Sequence, residues 1–308
     1  MFLQKEKPNI ARQDSQAMTG EEARRRSVGA SGVLIGLDVG GSITKIVGFR
    51  EGRLLKETLV KASDPVASAY GALGKFMIVN ELRLDQVEAV RITGVGASYV
   101  EDSELLELPS VVVPEFDAVG LGGLYTAGVD RAVVVSMGTG TSFVYADEGS
   151  IRHIIGSGVG GGTLLGLGHV MLHVRDFESI NEMSLEGNLQ KIDLSIGDIS
   201  RNDIPGLSAE TTASNFGKVD DRVTQSDLAL GIVNMVFQSV GTAAVLAARL
   251  EEADKIIFTG NLLRIERGRA VLKCFADLYG VEIVIPEHAE FATAIGAALY
   301  EPPVVPCQ

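Results

Sequence analysis

The stretch Val33-Leu-Ile-Gly-Leu-Asp38-Val-Gly40-Gly41-Ser42-Ile-Thr-Lys45-Ile-Val-Gly-Phe49 reads as a buried apolar strand that ends on an acid, turns through glycine and returns as a second strand. A third strand, Arg53 to Val60, follows the Glu51-Gly52 turn. Glycine loses more backbone entropy on folding than any other residue. Its clustering beside strands therefore marks places where the chain turns sharply or lets a ligand come close. A strand that ends in such a turn leaves backbone N–H groups without partners, and they can cradle phosphate oxygens.

Working outward, the same plan recurs. Ala132–Ser136 is a strand, Gly138-Thr-Gly140 a turn, Ser142–Ala146 a strand, and Ile151–Ile155 another, reversed at Asp147-Glu-Gly149. Duplication of this unit predicts two similar lobes facing each other across a cleft. Between the repeats come a helix over Pro65–Asn80, strands over Ala89–Thr93 and Val111–Val113, and a helix over Glu115–Tyr125. After the second repeat, the loop Gly156–Gly162 opens a helix from Thr163 to His173. A polar stretch reaches Asp227, and an Ala- and Val-rich helix spans Leu228–Arg249. Then follow a strand (Lys255–Phe258), a mostly helical segment (Leu262–Leu278), a strand (Val281–Ile285) and a closing helix (Glu290–Leu299). The predicted organisation is a polar extension over 1–31, with Arg24-Arg25-Arg26 and room for a short helix over Gly20–Arg26. A first lobe over 32–130, a second over 131–301 and a tail over 302–308 complete it.

The chain has 308 residues, 46% hydrophobic and 22% charged, enough for a sizeable core. Its net charge of −13 argues against nucleic-acid binding, which depends on Lys and Arg neutralising phosphates. An anionic substrate must then be held by local groups rather than by the bulk field. Cys274 reads as a small buried hydrophobe and Cys307 as part of a frayed end, so neither a disulfide scaffold nor a zinc site is expected. No apolar leader follows Met1 and no run reads as long and uniformly apolar enough to span a bilayer; the expectation is a cytoplasmic protein without a membrane partner.

Lys45, on the second strand, can reach a polyphosphate or stand as a solvated strand lysine. Asp38 suits outer-shell contact with Mg²⁺, or a turn aspartate's local role. The Lys-Ser/Thr ending of a Walker loop is absent after Gly158-Val-Gly160-Gly-Gly-Thr163, and the strand order does not suit a dinucleotide-binding unit.

Asp38-Val-Gly-Gly-Ser-Ile-Thr-Lys45 resembles the first phosphate motif of the actin, sugar-kinase and Hsp70 superfamily. Ser136-Met-Gly-Thr-Gly-Thr-Ser142 resembles the second, and Phe258-Thr-Gly-Asn261 the adenosine motif. Three further segments resemble type II pantothenate kinases: Pro114-Glu-Phe-Asp-Ala118, Gly160-Gly-Gly-Thr-Leu-Leu-Gly-Leu-Gly168 and Ala213-Ser-Asn-Phe-Gly217. The resemblance covers Val33 to Tyr300. It implies a two-lobed actin-like ATPase (ribonuclease H-like) α/β fold, each lobe a mixed sheet flanked by helices. It also implies a homodimer that phosphorylates pantothenate with ATP and Mg²⁺.

By that resemblance Glu115 matches the general base, although an acid at a helix start is also favoured by the dipole. Gly40, Gly41, Ser42 and Lys45 match the phosphate-holding segment, and Thr139 and Ser142 the hydroxyls lining the reacting centre. Gly161, Gly162 and Thr163 match the nucleotide-facing loop. Phe177 and Asn261 fall at nucleotide-contact positions, with core packing an equal reading for Phe177. One position departs from the family: where relatives hold the acyl substrate with an arginine, this chain has His153, preceded by Arg152. Strand neighbours point to opposite faces. Either His153 supports the substrate, the strand bulges, or the substrate differs. Rival readings are a kinase of an amino sugar or related acid, and an ATP-driven activator or sensor protein.

Overall fold

The computed structural model describes residues 32–41, 43–61, 64–100 and 105–302. The expectations for the 1–31 extension, Ser42 and Cys307 lie outside that set.

The opening stretch forms β1 (Val33–Val39) and β2 (Ile43–Arg50), paired antiparallel with Asp38 opposite Lys45. The expected single strand over Arg53–Val60 is instead two, β3 (Arg53–Leu54) and β4 (Thr58–Lys61), both on β2. The break has a visible cause. The Asn80 side chain accepts from Lys56 N–H and donates to the Lys56 carbonyl, which draws that backbone out of the ladder. Asn80 caps the end of α1 (Pro65–Val79), whose start has Asp64 accepting from Ala67 N–H at 2.7 Å and proline in its first turn. Strands β5 (Val87–Thr93) and β6 (Ser110–Val112) run parallel to β1, giving the order β3-β2-β1-β5-β6, with β4 also on β2.

After α2 (Glu115–Ala127) the second sheet begins with β7 (Arg131–Met137), β8 (Thr141–Asp147) and β9 (Ser150–Ser157). Then come α3 (Gly161–Leu172), α4 (Phe177–Leu185) and a two-stranded ribbon of β10 (Leu194–Ser195) and β11 (Thr212–Ser214). The helix α5 (Gln225–Leu250), the strand β12 (Lys255–Thr259), α6 (Glu266–Tyr279), β13 (Glu282–Val284) and α7 (Ala292–Leu299) complete the chain. The second sheet has the order β9-β8-β7-β12-β13. Strand for strand this repeats the first sheet, as the duplicated sequence plan requires.

Two helices leave the sheet that sequence proximity would assign them. The helix α2 follows β6 yet packs on β7, β8 and β9, whereas α7 follows β13 yet packs on β1, β2 and β5. They cross each other at backbone contact: a Cβ on Gly122 would lie 1.8 Å from the Ala292 carbonyl oxygen, and one on Gly296 1.8 Å from that of Ala118. Only glycine fits there.

Two sequence expectations are corrected. Cys274 is exposed. The apolar stripe of α6 runs through Gly268, Leu272 and Phe275, and at helical spacing Cys274 falls outside it. The helix α5 does have the length and hydropathy of a membrane span, but 67% of its most apolar window is buried inside the protein. Its Val, Ile, Phe and Ala side chains fill the core against β7, β12 and the neighbouring helices. It also carries a polar anchor. Buried Asp193 accepts from Asn234 (2.6 Å), Asn215 (3.1 Å) and the Phe216 N–H (2.9 Å), tying the Ala213–Gly217 segment to α5.

Candidate active site

The parallel strands β1, β5 and β6 end side by side, and their carboxyl ends carry Asp38, Thr93 and, one residue past Pro114, Glu115. Open α/β sheets bind ligands at such ends. Asp38 and Lys45 are each only 9% exposed, with Nζ and Oδ2 3.7 Å apart. Burial raises the Asp38 pKa, and the Lys45 charge partly offsets it. Gly94 makes the arrangement fit: its φ is +91°, and a Cβ there would lie 2.6 Å from Asp38 Oδ1. Thr93-Gly-Val-Gly96 thus belongs to the site. A glycine pair directly after a strand was the available signal.

Glu115 opens α2 and is exposed. Crowding by surrounding protein atoms and then the Asp38 charge raise its pKa, although a helix N-terminus favours the ionised form. The Asp38 charge therefore acts on Glu115, and Lys45 is paired with that same Asp38. Gly40 N–H donates to Ile43 O at 3.2 Å, closing the first turn, and open space surrounds Gly41.

From the second sheet, the β7–β8 turn meets the start of α3. Gly161 N–H donates to Gly138 O (2.9 Å) and Gly162 N–H to Thr139 O (2.8 Å). The Thr163 hydroxyl donates to Gly158 O at 2.9 Å and accepts from Gly160 N–H at 3.2 Å. These groups are engaged within the loop. What the glycines provide is close approach: a Cβ on Gly161 would lie 2.8 Å from Leu262 Cδ1, and one on Gly162 3.2 Å from Thr139 Cγ2. Thr139 itself is exposed at the turn, and Asn261 opens the turn Asn261–Arg264 at the end of β12. Phe177 packs, half-buried, against the core of the second sheet.

The strand β9 does bulge: Phe143 pairs with Ile155 but Val144 with His153, leaving Ile154 extra. The bulge does not bring Arg152 round. Arg152 is ion-paired with Glu251 beyond the end of α5, and its guanidinium lies 4.9 Å from the Tyr145 ring centroid. His153 faces the other way and stacks on Phe116, the neighbour of Glu115, at 4.1 Å between centroids and 17° between planes. On β8, Ser142 pairs with Gly156 of β9 and lies on the face it shares with Val144. The structure therefore pairs Asp38 with Lys45, sets His153 on Phe116 beside Glu115, and turns Arg152 the other way. Phe116 and Gly94 were not singled out from sequence.

Two sheets of the same strand order, each opening on a strand–glycine turn–strand unit, are the architecture of the actin-like ATPase class. The solved structures agree on the fold. An activator of 2-hydroxyisocaproyl-CoA dehydratase from Clostridium difficile with bound ADPNP matches with a TM-score of 0.64 at 16% identity, covering 87% of this chain and 93% of that one. Component A of the (R)-2-hydroxyglutaryl-CoA dehydratase of Acidaminococcus fermentans matches at 0.63 and 17%, covering 88% and 97%. A ROK family glucokinase from Streptomyces griseus in complex with glucose and AMPPNP matches at 0.54 and 16%, covering 87% and 98%.

The sequence comparisons narrow the class. The Fumble family model matches residues 131–300. A type II pantothenate kinase of Staphylococcus aureus (strain USA300) is 31% identical over 278 residues, 87% of this chain and 99% of the relative. The chain belongs to the type II pantothenate kinase family.

Proposed function

We propose that this protein phosphorylates pantothenate with ATP, giving 4'-phosphopantothenate at the start of coenzyme A synthesis. The observation that carries the reading is Glu115: a carboxylate with a raised pKa at the cleft, beside Asp38 and Lys45, in a member of this family. Glu115 takes the proton from the primary hydroxyl of pantothenate as that oxygen attacks the γ-phosphorus; the γ-phosphoryl group moves to the hydroxyl oxygen and ADP leaves. Phosphoryl transfer of this kind is mostly positioning and charge stabilisation. Lys45 steadies the phosphate oxygens, with Gly40 and Gly41 of the first turn and Thr139 of the second alongside. Ser142 and His153 face the acceptor, His153 held flat by Phe116.

Asp38 sets a carboxylate against the single charge of Lys45, a donor that fits a hard divalent cation with water and phosphate completing its shell. Asp38 would hold Mg²⁺, which neutralises the phosphate charge when bound. A two-lobe division near residue 130, a cytoplasmic location and a homodimer belong to the same reading. The test is ADP release with ATP and pantothenate, run beside amino sugars. Turnover with pantothenate supports the assignment; turnover only with an amino sugar, or ATP hydrolysis indifferent to either, overturns it.

A further inference from the structure

The first sheet meets the second half of the chain in two different ways. At the α2–α7 crossing the contact is backbone against backbone, with no room for even a methyl group. Beside β4 the contact is made by the tips of charged side chains. Glu57, just before β4, touches His288, just before the turn Ala289–Phe291 that leads into α7. Lys61, the last residue of β4, is paired with Glu178 Oε1 of α4 at 3.3 Å. The Lys61–Glu178 pair stands in solvent, its side chains 62% and 46% exposed.

That exposed pair links the surroundings of the two glycine segments. In the register of β4 on β2, Lys61 stands opposite Ile43, whose carbonyl closes the first turn by accepting from Gly40 N–H. Lys61 also shares a sheet face with Lys45, because Lys45 is opposite Leu59 and strand side chains two apart point the same way. On the other side, Glu178 lies in the first turn of α4. This helix packs so closely on α3 that a Cβ on Gly168 would lie 2.5 Å from Ile180 Cδ1, and α3 begins at the second glycine loop. Glu178 has a further cation within its own half: Arg264 Nη2, in the turn after β12, is 3.8 Å from the same Oε1. Parting from Lys61 therefore does not strand Glu178. An exposed ion pair contributes little, enough to shift an equilibrium severalfold. Such a contact can open and close, whereas the helix crossing cannot.

We propose that Lys61 and Glu178 form a strap between the two halves, closed while a nucleotide is held and parted when ADP leaves. The inference rests on the nucleotide reading above and adds to it the step that releases product.

Stopped-flow release of N-methylanthraniloyl-ADP from the full chain, chased with excess ATP in the absence of pantothenate, tests the strap. Wild-type release should quicken about two- to fivefold between roughly 50 mM and roughly 500 mM salt, as screening loosens the pair. Glu178→Gln and Lys61→Met should each reach the faster rate at low salt and respond less to added salt. The double variant should be no faster than either single one, since both remove the same contact. Capture should quicken by the same factor and leave Kd within about twofold, because the pair guards passage without touching the ligand. Faster release with a proportionally weaker Kd, confined to Lys61→Met, overturns the strap and makes Lys61 a phosphate contact. A merely structural pair would lower the Tm and leave the rates and their salt response alone, which also overturns it. No binding of the analogue by the wild type defeats the nucleotide reading and the strap with it. Tight binding with rates indifferent to salt and to both substitutions defeats the strap alone.

Discussion

Glu115 and His153 show how single positions acquire chemistry from their surroundings. An acid in the first turn of a helix is ordinary, and its dipole lowers the cost of ionisation. Here crowding and the Asp38 charge outweigh that, and the pKa rises. A raised value moves the protonation step upward, so the base-active form is lost at higher pH than for a free glutamate. The kcat/KM profile from about pH 4 to about pH 8 should therefore show an acid limb above the ordinary value of 4.5. A limb at or below 4.5 would show that neither the crowding around Glu115 nor the Asp38 charge raises the base. Glu115→Gln should cut kcat by about 10²–10⁴-fold and abolish that limb, with ATP affinity retained; wild-type turnover in the variant removes Glu115 from the reaction. His153 and Arg152 were both candidates from sequence because a strand can bulge. The bulge exists, yet Glu251 and Tyr145 retain Arg152 on the α5 side and Phe116 retains His153 beside the start of α2. No local pattern encodes partners that distant in the chain.

Among the elements, the β10–β11 ribbon and α5 are joined by a buried carboxylate. The segment Ala213–Gly217 was legible in the sequence only as a resemblance, without a physical task. Its Asn215 side chain and Phe216 N–H turn out to be donors to Asp193, together with Asn234 of α5. Removing the acceptor strands several buried donors at once. Asp193→Ala is therefore expected to destabilise the protein by about 3 kcal/mol, read from urea unfolding. A loss below about 1 kcal/mol would mean that water replaces the carboxylate. The strands and long helices were legible because apolar alternation and helical periodicity are local. The split between β3 and β4 was not, since it depends on an Asn80 side chain that sequence alone placed at the end of a helix.

At the scale of the whole molecule, the two repeats of one strand order are tied by the α2–α7 crossing. Each helix packs on the other repeat's sheet, so the joint between the sheets is backbone against backbone. Adding even a methyl group there forces the helices apart. Gly296→Ala should lower stability by about 3 kcal/mol and depress kcat together with unfolding midpoint. A variant that keeps its wild-type midpoint would refute the contact.

The amino-acid sequence alone determined the strand–glycine turn–strand repeat, the helices between, and the acids and lysine at strand ends. All of these follow from periodicity and backbone stereochemistry within a few residues. Only the tertiary structure decided which sheet α2 and α7 cover and that Arg152 is committed elsewhere. Those outcomes depend on packing and charge between segments far apart in the chain, where partners compete in space and no single stretch of sequence holds both sides.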